Sequence, residues 1–220
     1  MTVTQLDHLV VAAHTLQQGV AWCEATLGAT PAAGGKHVGM GTHNRLLSIG
    51  SAAFAQAYLE IIAIDADAPP PSRPRWFGLD DAALQAALRE QPRLLHIVAR
   101  CTQLDATLAA LAALGADAGK PVAAERASAH GLLRWRIAGR TDGQLLFGGA
   151  LPTLIEWSGM HPTDHLPHSA VSLQSVTLAG LPAPVAAATG LRGVRFQAEG
   201  AALRARFETP RGVVQLDSRN

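Results

Sequence analysis

The chain has 220 residues, of which 48% are hydrophobic and 16% are charged, and its formal net charge is +1. This composition is typical of a globular protein with a buried core and argues against disorder. No apolar run approaches the roughly 18 residues of a membrane span, and no run of basic residues indicates nucleic-acid binding. The N-terminus lacks a secretory signal pattern, so we expect a cytoplasmic protein whose partners are small molecules, with no membrane or nucleic-acid partner.

The two cysteines, Cys23 and Cys101, indicate neither disulfide nor zinc chemistry. They are too few for a disulfide framework, and they lack the Cys-x-x-Cys spacing of a zinc or redox site. We therefore predict that both are small buried hydrophobic residues.

The first part of the chain is predicted to form a strand, a helix and further strands. Residues 6–12 form a short β-branched apolar run, which favours a strand. Apolar residues then recur at helical spacing over 16–27, and Gly28 suits the left-handed position that ends a helix. Strands are predicted at 43–50 and 58–64, after a glycine-rich polar stretch.

The same order of elements recurs later in the chain. A strand is predicted at 94–99 and a helix at 104–114 with Gly115 at its end, followed by strands at 132–137 and 153–157. Both first strands carry a histidine at the same place, and both last strands contain a glutamate. An internal repeat of this kind is a strong indication of the fold.

A third segment follows a similar order but differs where the histidine and the glutamate stand in the other two. Ser175 occupies the histidine position and Gln215 the glutamate position, so this segment is predicted to be a structural cover without metal ligands. Its predicted elements are a strand at 173–178, a short helix at 182–189 and strands at 195–196, 203–209 and 212–216. A further short helix is predicted within 80–91.

The repeat predicts an α+β fold of tandem units, each with a strand, a helix and further strands, and a third, degenerate C-terminal unit. The two units are expected at about 1–66 and 92–160, and together they form a domain of residues 1–160. Residues 161–220 are expected to form the third unit packed on that domain. The proline-rich connections between units are too short for flexible tethers, so we expect one body.

Four residues at matching places in the two units are candidate metal ligands. A carboxylate in an apolar strand is expensive to bury unless it is paired or binds a metal. Two histidines and two carboxylates from related units provide a mixed nitrogen and oxygen site for a divalent ion, with positions left for water or substrate. The alternative is that the two histidines are core residues with hydrogen-bond partners inside the protein, and that the two glutamates form ion pairs with arginines. The four candidates are His8, Glu60, His96 and Glu156.

Further candidates are polar or aromatic residues on strands that border the expected cavity. His43, Asn44 and Arg45 form a polar cluster that contacts ligand or, alternatively, forms a turn. Arg134 lies on the related strand of the second unit, and Tyr58 and Trp157 supply aromatic surface for a ligand. Trp76 and Phe77 are predicted to anchor a loop rather than to form a lid. His161, His165 and His168 are predicted to be surface loop histidines.

Tandem units with histidine in the first strand and glutamate in the last resemble the vicinal oxygen chelate superfamily. Within it, four segments are similar to glyoxalase-like domain proteins, and the resemblance covers about residues 5–160. These segments are GMGTHNRLL at 39–47, YLE at 58–60, RWFGL at 75–79 and LPTLIEW at 151–157.

The resemblance implies that the units are βαβββ units whose strands form a cupped mixed sheet around a divalent metal ion, which is zinc, nickel, cobalt, manganese or iron. Two histidines with two glutamates resemble the metal ligands of lactoylglutathione lyases. This implies a lyase or isomerase that moves a proton next to a carbonyl group. It also implies that Glu156 and Glu60 are catalytic residues, with Glu156 as the favoured base. Such lyases are usually dimers, so a homodimer is one expected assembly.

Two alternatives stay open at this point. One is a metal-free binding or resistance protein that holds a small molecule in the cup. The other is an extradiol-dioxygenase-like or transferase-like enzyme, in which His8, His96 and Glu156 hold the metal and Glu60 only supports them.

Overall fold

The computed structural model describes residues 3–128 and 130–218, and its first unit is a strand, a helix and three further strands. Thr15 accepts a hydrogen bond from the backbone N–H of Gln18 at the start of the helix, and Gly28 ends it with φ of 70°, as predicted. The elements are β1 (Thr4–Ala12), α1 (Leu16–Leu27), β2 (Ala32–His37), β3 (Thr42–Ser48) and β4 (Tyr58–Ile64).

The second unit has the same order of elements, and a short helix precedes it. Gly115 has φ of 76° just after the second-unit helix, which confirms the predicted left-handed position. The elements are α2 (Ala82–Glu90), β5 (Arg93–Arg100), α3 (Leu104–Ala113), β6 (Lys120–Ser128), β7 (Gly131–Gly139) and β8 (Thr153–Trp157). Strands β2 and β6 are additions to the prediction, which has only glycine-rich or polar stretches at these places.

The strands of the first two units form one curled mixed sheet. Its order is β2-β3-β4-β1-β5-β8-β7-β6, so the first strands of the two units are central neighbours and run antiparallel. Within each unit the first and last strands pair in parallel. The two edges approach each other, because Gly35 of β2 lies against the side chain of Arg126 of β6. The predicted α+β fold with tandem βαβββ units is confirmed.

The third unit keeps the order of elements but pairs its strands differently. Its elements are β9 (Ser172–Ala179), α4 (Ala183–Thr189), β10 (Leu191–Arg192), β11 (Arg195–Gln197), β12 (Leu203–Thr209) and β13 (Gly212–Asp217). They form a second sheet in the order β11-β9-β12-β13, while β10 pairs with β1 of the large sheet. The first strand β9 therefore has β11 and β12 as neighbours, not the last strand, and this unit is degenerate in topology as well as in sequence.

Two clusters of buried residues occupy the two faces of the large sheet. The outer cluster contains Leu59 and Ile61 of β4 and packs against the helices and the third unit. The inner cluster contains Ile62 of β4 and Ile155 of β8 and lines the concave side. Because side chains alternate along a strand, these clusters fix the direction in which each candidate residue points.

Both cysteines lie in the outer cluster, as predicted, and burial raises the pKa of Cys23 to about 12 and that of Cys101 to about 11. The helices of residues 3–128 and 130–218 are short, and none has the length and apolar character needed to cross a membrane.

Candidate functional site

His8 and Glu60 lie side by side in the concave face of the first unit. Strands β1 and β4 are parallel neighbours, and the register places His8 opposite Tyr58 and Val10 opposite Glu60. His8 Nε2 is 3.6 Å from Glu60 Oε2, and both side chains are buried. The Tyr58 ring stacks on the imidazole with a centroid distance of 4.6 Å. The structure thus brings together two of the four predicted ligands.

A buried carboxylate next to His8 in the chain holds the imidazole in place. Asp7 Oδ1 is 2.6 Å from His8 Nδ1, while Asp7 Oδ2 accepts hydrogen bonds from Trp157 Nε1 at 2.9 Å and His161 Nε2 at 3.0 Å. The pairing of β1 with β5 shifts between Leu6 and His8, so Asp7 occupies a bulge. A bulge redirects side chains, which lets two consecutive residues take part in one network.

The network keeps Asp7 ionised. Full burial by itself raises the pKa of a carboxyl group, but the hydrogen bonds from His161 and His8 outweigh burial and hold the pKa of Asp7 well below its usual range. An ionised carboxylate can only accept, so His8 donates through Nδ1. The other ring nitrogen, Nε2, forms no hydrogen bond with a described residue and lies at the small pocket beside Glu60, which is the position that a general base needs.

The other oxygen of Glu60 is held by an amide from β3. Asn44 Nδ2 donates to Glu60 Oε1 at 2.6 Å, and Asn44 Oδ1 accepts from the backbone N–H of Gly35 at 2.8 Å. His37 Nε2 lies 3.9 Å from the same glutamate oxygen. Burial lowers the pKa of His37 to about 4, despite the opposing effect of the carboxylate, so this histidine is neutral at pH 7.

A large cavity opens beside this cluster. Its volume is about 660 Å³, and a smaller pocket of about 40 Å³ lies directly at His8 and Glu60. The two spaces share six wall residues, of which four are apolar or aromatic, so an apolar ligand body fits against them. The shared wall residues are His37, Trp76, Phe77, Arg126, Trp135 and Ile137.

His96 also lies on the concave side, but both of its ring nitrogens are already bonded. Nδ1 donates to the carbonyl oxygen of Gly149 at 3.1 Å, and Nε2 accepts from the backbone N–H and the hydroxyl of Thr153 at 3.2 and 2.9 Å. Burial lowers the pKa of His96 to about 3, although the bond to Gly149 opposes this effect, so the ring is neutral at pH 7. In this arrangement His96 has no free nitrogen for a metal.

Glu156 points away from the cup. Along β8 its side chain points to the same face as that of Leu154, which belongs to the outer cluster. The side chain of Ile155, between them, points to the opposite face and belongs to the inner cluster. Its carboxylate lies 3.6 Å from Arg136 Nη1 and accepts a long hydrogen bond of 3.4 Å from the backbone N–H of Leu104, at the start of α3. A shift of one residue along a strand reverses the face, so a glutamate in the matching strand does not ensure a matching direction.

The predicted metal-binding set is therefore not assembled in the structure. His8 and Glu60 meet in the cup, His96 bonds its own surroundings, and Glu156 faces the helices. Within 3–128 and 130–218, no group of three or more histidine, cysteine, aspartate or glutamate side chains has the geometry to hold a metal ion. These residues do not fit the metal that the family resemblance implies.

The predicted substrate-binding residues divide into two groups. Asn44, Tyr58 and Trp157 border the small pocket at His8 and Glu60. His43 and Arg45 alternate with Asn44 along β3 and point to the other face, where His43 lies 4.0 Å from Asp65.

Arg134 also lies outside the cup. It alternates with Leu133 and Trp135 of the inner cluster, and it pairs with Glu125 at 3.2 Å on the exposed side of β7. The expectation that Arg134 contacts a ligand in the cup is therefore not met by its position.

Several residues of the site were not among the sequence candidates. Asp7 was overlooked although it adjoins His8, and His37 and Arg126 lie on β2 and β6, which were not predicted. His161 was expected on the surface but is buried against Asp7, so that expectation was wrong. Phe77 is buried and lines both cavities with Trp76, and the pair forms a wall of the site. The position of Asp7 directly before His8 is the local feature of the sequence that could have indicated its role.

The cupped sheet of paired βαβββ units, with a histidine and a glutamate facing its interior, is the glyoxalase-like fold. The family model described as glyoxalase-like domain matches residues 6–193, and the chain belongs to that family. No curated protein matches the chain.

Solved structures with similarity to the chain include two methylmalonyl-CoA epimerases. A variant of the Streptomyces coelicolor enzyme, in complex with 2-nitronate-propionyl-CoA, has a TM-score of 0.44 and 19% identity over 72% of this chain and 98% of that one. The Mycobacterium tuberculosis epimerase has a TM-score of 0.41 and 15% identity over 72% and 90%. A hypothetical protein from Bacillus halodurans has a TM-score of 0.38 and 11% identity over 72% and 96%.

Proposed function

We propose that this protein is an enzyme that moves a proton next to a carbonyl group of a small molecule, in an isomerase-type or lyase-type reaction. The observation that carries the proposal is the pair of His8 and Glu60, whose facing atoms are 3.6 Å apart in a small pocket that adjoins the large cavity. The buried Asp7 orients the imidazole from behind. A base held in this way has the geometry required for general acid-base catalysis.

In the proposed reaction, His8 Nε2 takes the proton from the carbon beside the carbonyl. The electron pair of the broken C–H bond moves towards the carbonyl oxygen, and the imidazolium that forms lies between the carboxylates of Asp7 and Glu60. His8 then returns the proton to the carbon skeleton, which gives the isomer. Asn44 keeps Glu60 in position to stabilise the imidazolium, because its amide holds the other carboxylate oxygen.

The predicted ligands do not fit a metal ion, so the proposed reaction uses none. To bind a metal in the cup, His96 would have to break its hydrogen bonds to Gly149 and Thr153, and the side chain of Glu156 would have to face the opposite side of the sheet. Divalent-metal chemistry is common in the superfamily, so a metal-dependent form of the reaction is a separate proposal. Elemental analysis of protein purified without a metal-affinity tag, compared with a His8→Ala variant, tests it.

The test of the proton-transfer proposal is exchange of carbon-bound hydrogen with solvent. Small carbonyl compounds such as 2-oxo acids, acyl thioesters and hydroxyketones are incubated with the protein in D₂O, and deuterium uptake is followed by NMR. His8→Gln and Glu60→Gln are expected to reduce exchange roughly 100-fold or more, as is usual for loss of a positioned acid-base group.

Two glutamate variants make the test specific. Glu156→Gln is expected to retain exchange, because its carboxylate lies on the helix side of the sheet. Glu208→Gln, on the exposed face of β12, is the matched control for loss of one negative charge. Loss of exchange in Glu156→Gln together with full exchange in Glu60→Gln would overturn the assignment.

The large apolar cavity also favours a second candidate function, which is binding of a small molecule without chemistry. Trp76 and Trp135 line the cavity of about 660 Å³, and Trp135 packs against Trp157 at a centroid distance of 5.4 Å. Aromatic walls of this kind hold apolar ligands. Ligands that bind tightly but show no deuterium exchange would favour this candidate over the enzyme.

A further inference from the structure

Arg126 lies where the large cavity meets the small pocket at His8 and Glu60, and it lines both. Arg126 is partly buried, and no described residue forms an ion pair or a hydrogen bond with it. The other cations of the large cavity each have a partner. Lys36 pairs with Asp65 at 2.7 Å, Arg140 pairs with Asp142, and Arg73 donates to the carbonyl oxygen of Arg140 at 3.1 Å.

The backbone of the opposite sheet edge shapes the position of Arg126. A Cβ atom on Gly35 would lie 2.0 Å from Arg126 Nη1 and 2.6 Å from its Cδ, so the arginine side chain lies across a residue that has no side chain. The N–H of Gly35 in turn bonds Asn44, which holds Glu60. Arg126 is thereby placed next to the proposed catalytic pair.

The small pocket that Arg126 shares with Trp76 contains a second donor, because the buried Trp76 Nε1 has no hydrogen-bond partner among the described residues. The carboxylate of the same pocket, Glu60, is held by Asn44 on one oxygen and faces His8 with the other. Buried donors without acceptors are costly, and a ligand oxygen can satisfy them. The positive charge of Arg126 also helps to lower the pKa of His37, although burial is the larger cause.

We propose that Arg126 binds an oxyanion of the substrate, a carboxylate or a phosphate, while the apolar remainder of the molecule occupies the cavity of about 660 Å³. An unpaired guanidinium recognises both groups through two parallel hydrogen bonds. This inference rests on the proposed function, because it names the class of substrate for that reaction: a carbonyl compound with an anionic group near the reacting carbon and an apolar body.

The experiment compares three probes that share one apolar chain: octanoate, octyl phosphate and octanol. Binding is followed by tryptophan fluorescence, since Trp76, Trp135 and Trp157 line the two spaces, and is checked by calorimetry. The wild type is expected to bind one or both anions roughly 10- to 100-fold more tightly than octanol, which is the effect of a charge-assisted hydrogen bond. The ratio of octanoate to octyl phosphate affinity identifies the oxyanion.

Two arginine variants test whether Arg126 is responsible for the preference for anions. Arg126→Gln is expected to bind the anions no more tightly than octanol, with octanol affinity unchanged. Arg206→Gln, on the exposed face of β12, removes an arginine far from the cavity and is expected to behave like the wild type. Equal affinity for anions and octanol in the wild type, no binding of any probe at millimolar concentration, or unchanged anion affinity in Arg126→Gln would each overturn the proposal.

The exchange and binding experiments can contradict the reaction and the oxyanion site independently. Selective anion binding that depends on Arg126, without deuterium exchange in any carbonyl compound, would keep the oxyanion site and remove the reaction. Deuterium exchange that depends on His8, without selective anion binding, would keep the reaction and remove the substrate class.

Discussion

Replacing Asp7 with asparagine is expected to destabilise the protein strongly. The carboxylate is fully buried and accepts three hydrogen bonds, from His8, Trp157 and His161, at 2.6, 2.9 and 3.0 Å. An asparagine amide has one acceptor oxygen, and its NH₂ group faces donors, so part of the network loses its partner. Hydrogen bonds to a charged group contribute about 1.5–3 kcal/mol each. We expect the free energy of unfolding to fall by about 4 kcal/mol.

Urea unfolding at pH 7, followed by tryptophan fluorescence and far-UV circular dichroism, measures this change. The pKa of Asp7 is held low in the folded protein, so its stabilisation is present above the pKa of an unfolded aspartate, about 3.9, and is lost only as pH falls through the folded value. At pH 7 the effect is therefore complete. Asp105→Asn is the control, because that residue is exposed and its surface pair with Arg136 contributes about 0–1 kcal/mol. A loss in Asp7→Asn no larger than in the control would refute the reasoning.

Three further predictions concern titration, backbone packing and thiol reactivity. The pKa values of His37 and His96 are lowered by burial to about 4 and about 3, so the unfolded chain binds more protons below about pH 6.5, and stability falls as pH falls from there towards about 4. His96→Gln is expected to reduce that slope by up to about 1.4 kcal/mol per pH unit, and an unchanged slope in urea titrations would contradict the assignment. Gly35→Ala is expected to displace Arg126 and to weaken octanoate binding. Gly50→Ala, outside both cavities and with no neighbour closer than 3.8 Å to the added Cβ, is expected to leave binding unchanged in the same fluorescence titration. Both cysteine thiols are buried and their pKa values are raised, so neither is expected to react with DTNB until the protein unfolds, and rapid labelling of the native protein would contradict this.

The elements with a clear hydrophobic pattern were predictable from the sequence. The predicted strands at 58–64 and 153–157 coincide with β4 and β8, because both are apolar runs that pack on two faces. Among the strands that were not predicted, β2 and β6 form the two edges of the large sheet and have little β-branched content. The sequence of β2 is AAGGKH and that of β6 is KPVAAERAS. Such strands form because a neighbouring strand offers hydrogen bonds at the sheet edge, and local propensity does not reveal this.

The candidate site was less predictable than the fold, for two physical reasons. His37 and Arg126 lie on the two edge strands, so they were missed together with those strands. The direction of a strand side chain depends on bulges and on single-residue register, and Glu156 shows how a matching position can face the opposite side. The repeat therefore identified His8 and Glu60 correctly as neighbours, but it did not fix the direction of every member of the set.

Asp7 and His161 are 154 positions apart in the sequence, yet they share one hydrogen bond behind His8. His161 follows the last strand of the second unit, so it reaches Asp7 only after both units have folded against each other. Asp7 and His8 are synthesised next to each other at the start of the chain. His161, which donates a hydrogen bond to Asp7, belongs to a segment that is synthesised much later. A chain interrupted before residue 161 would therefore contain His8 and Glu60 but would lack the hydrogen bond from His161 to Asp7.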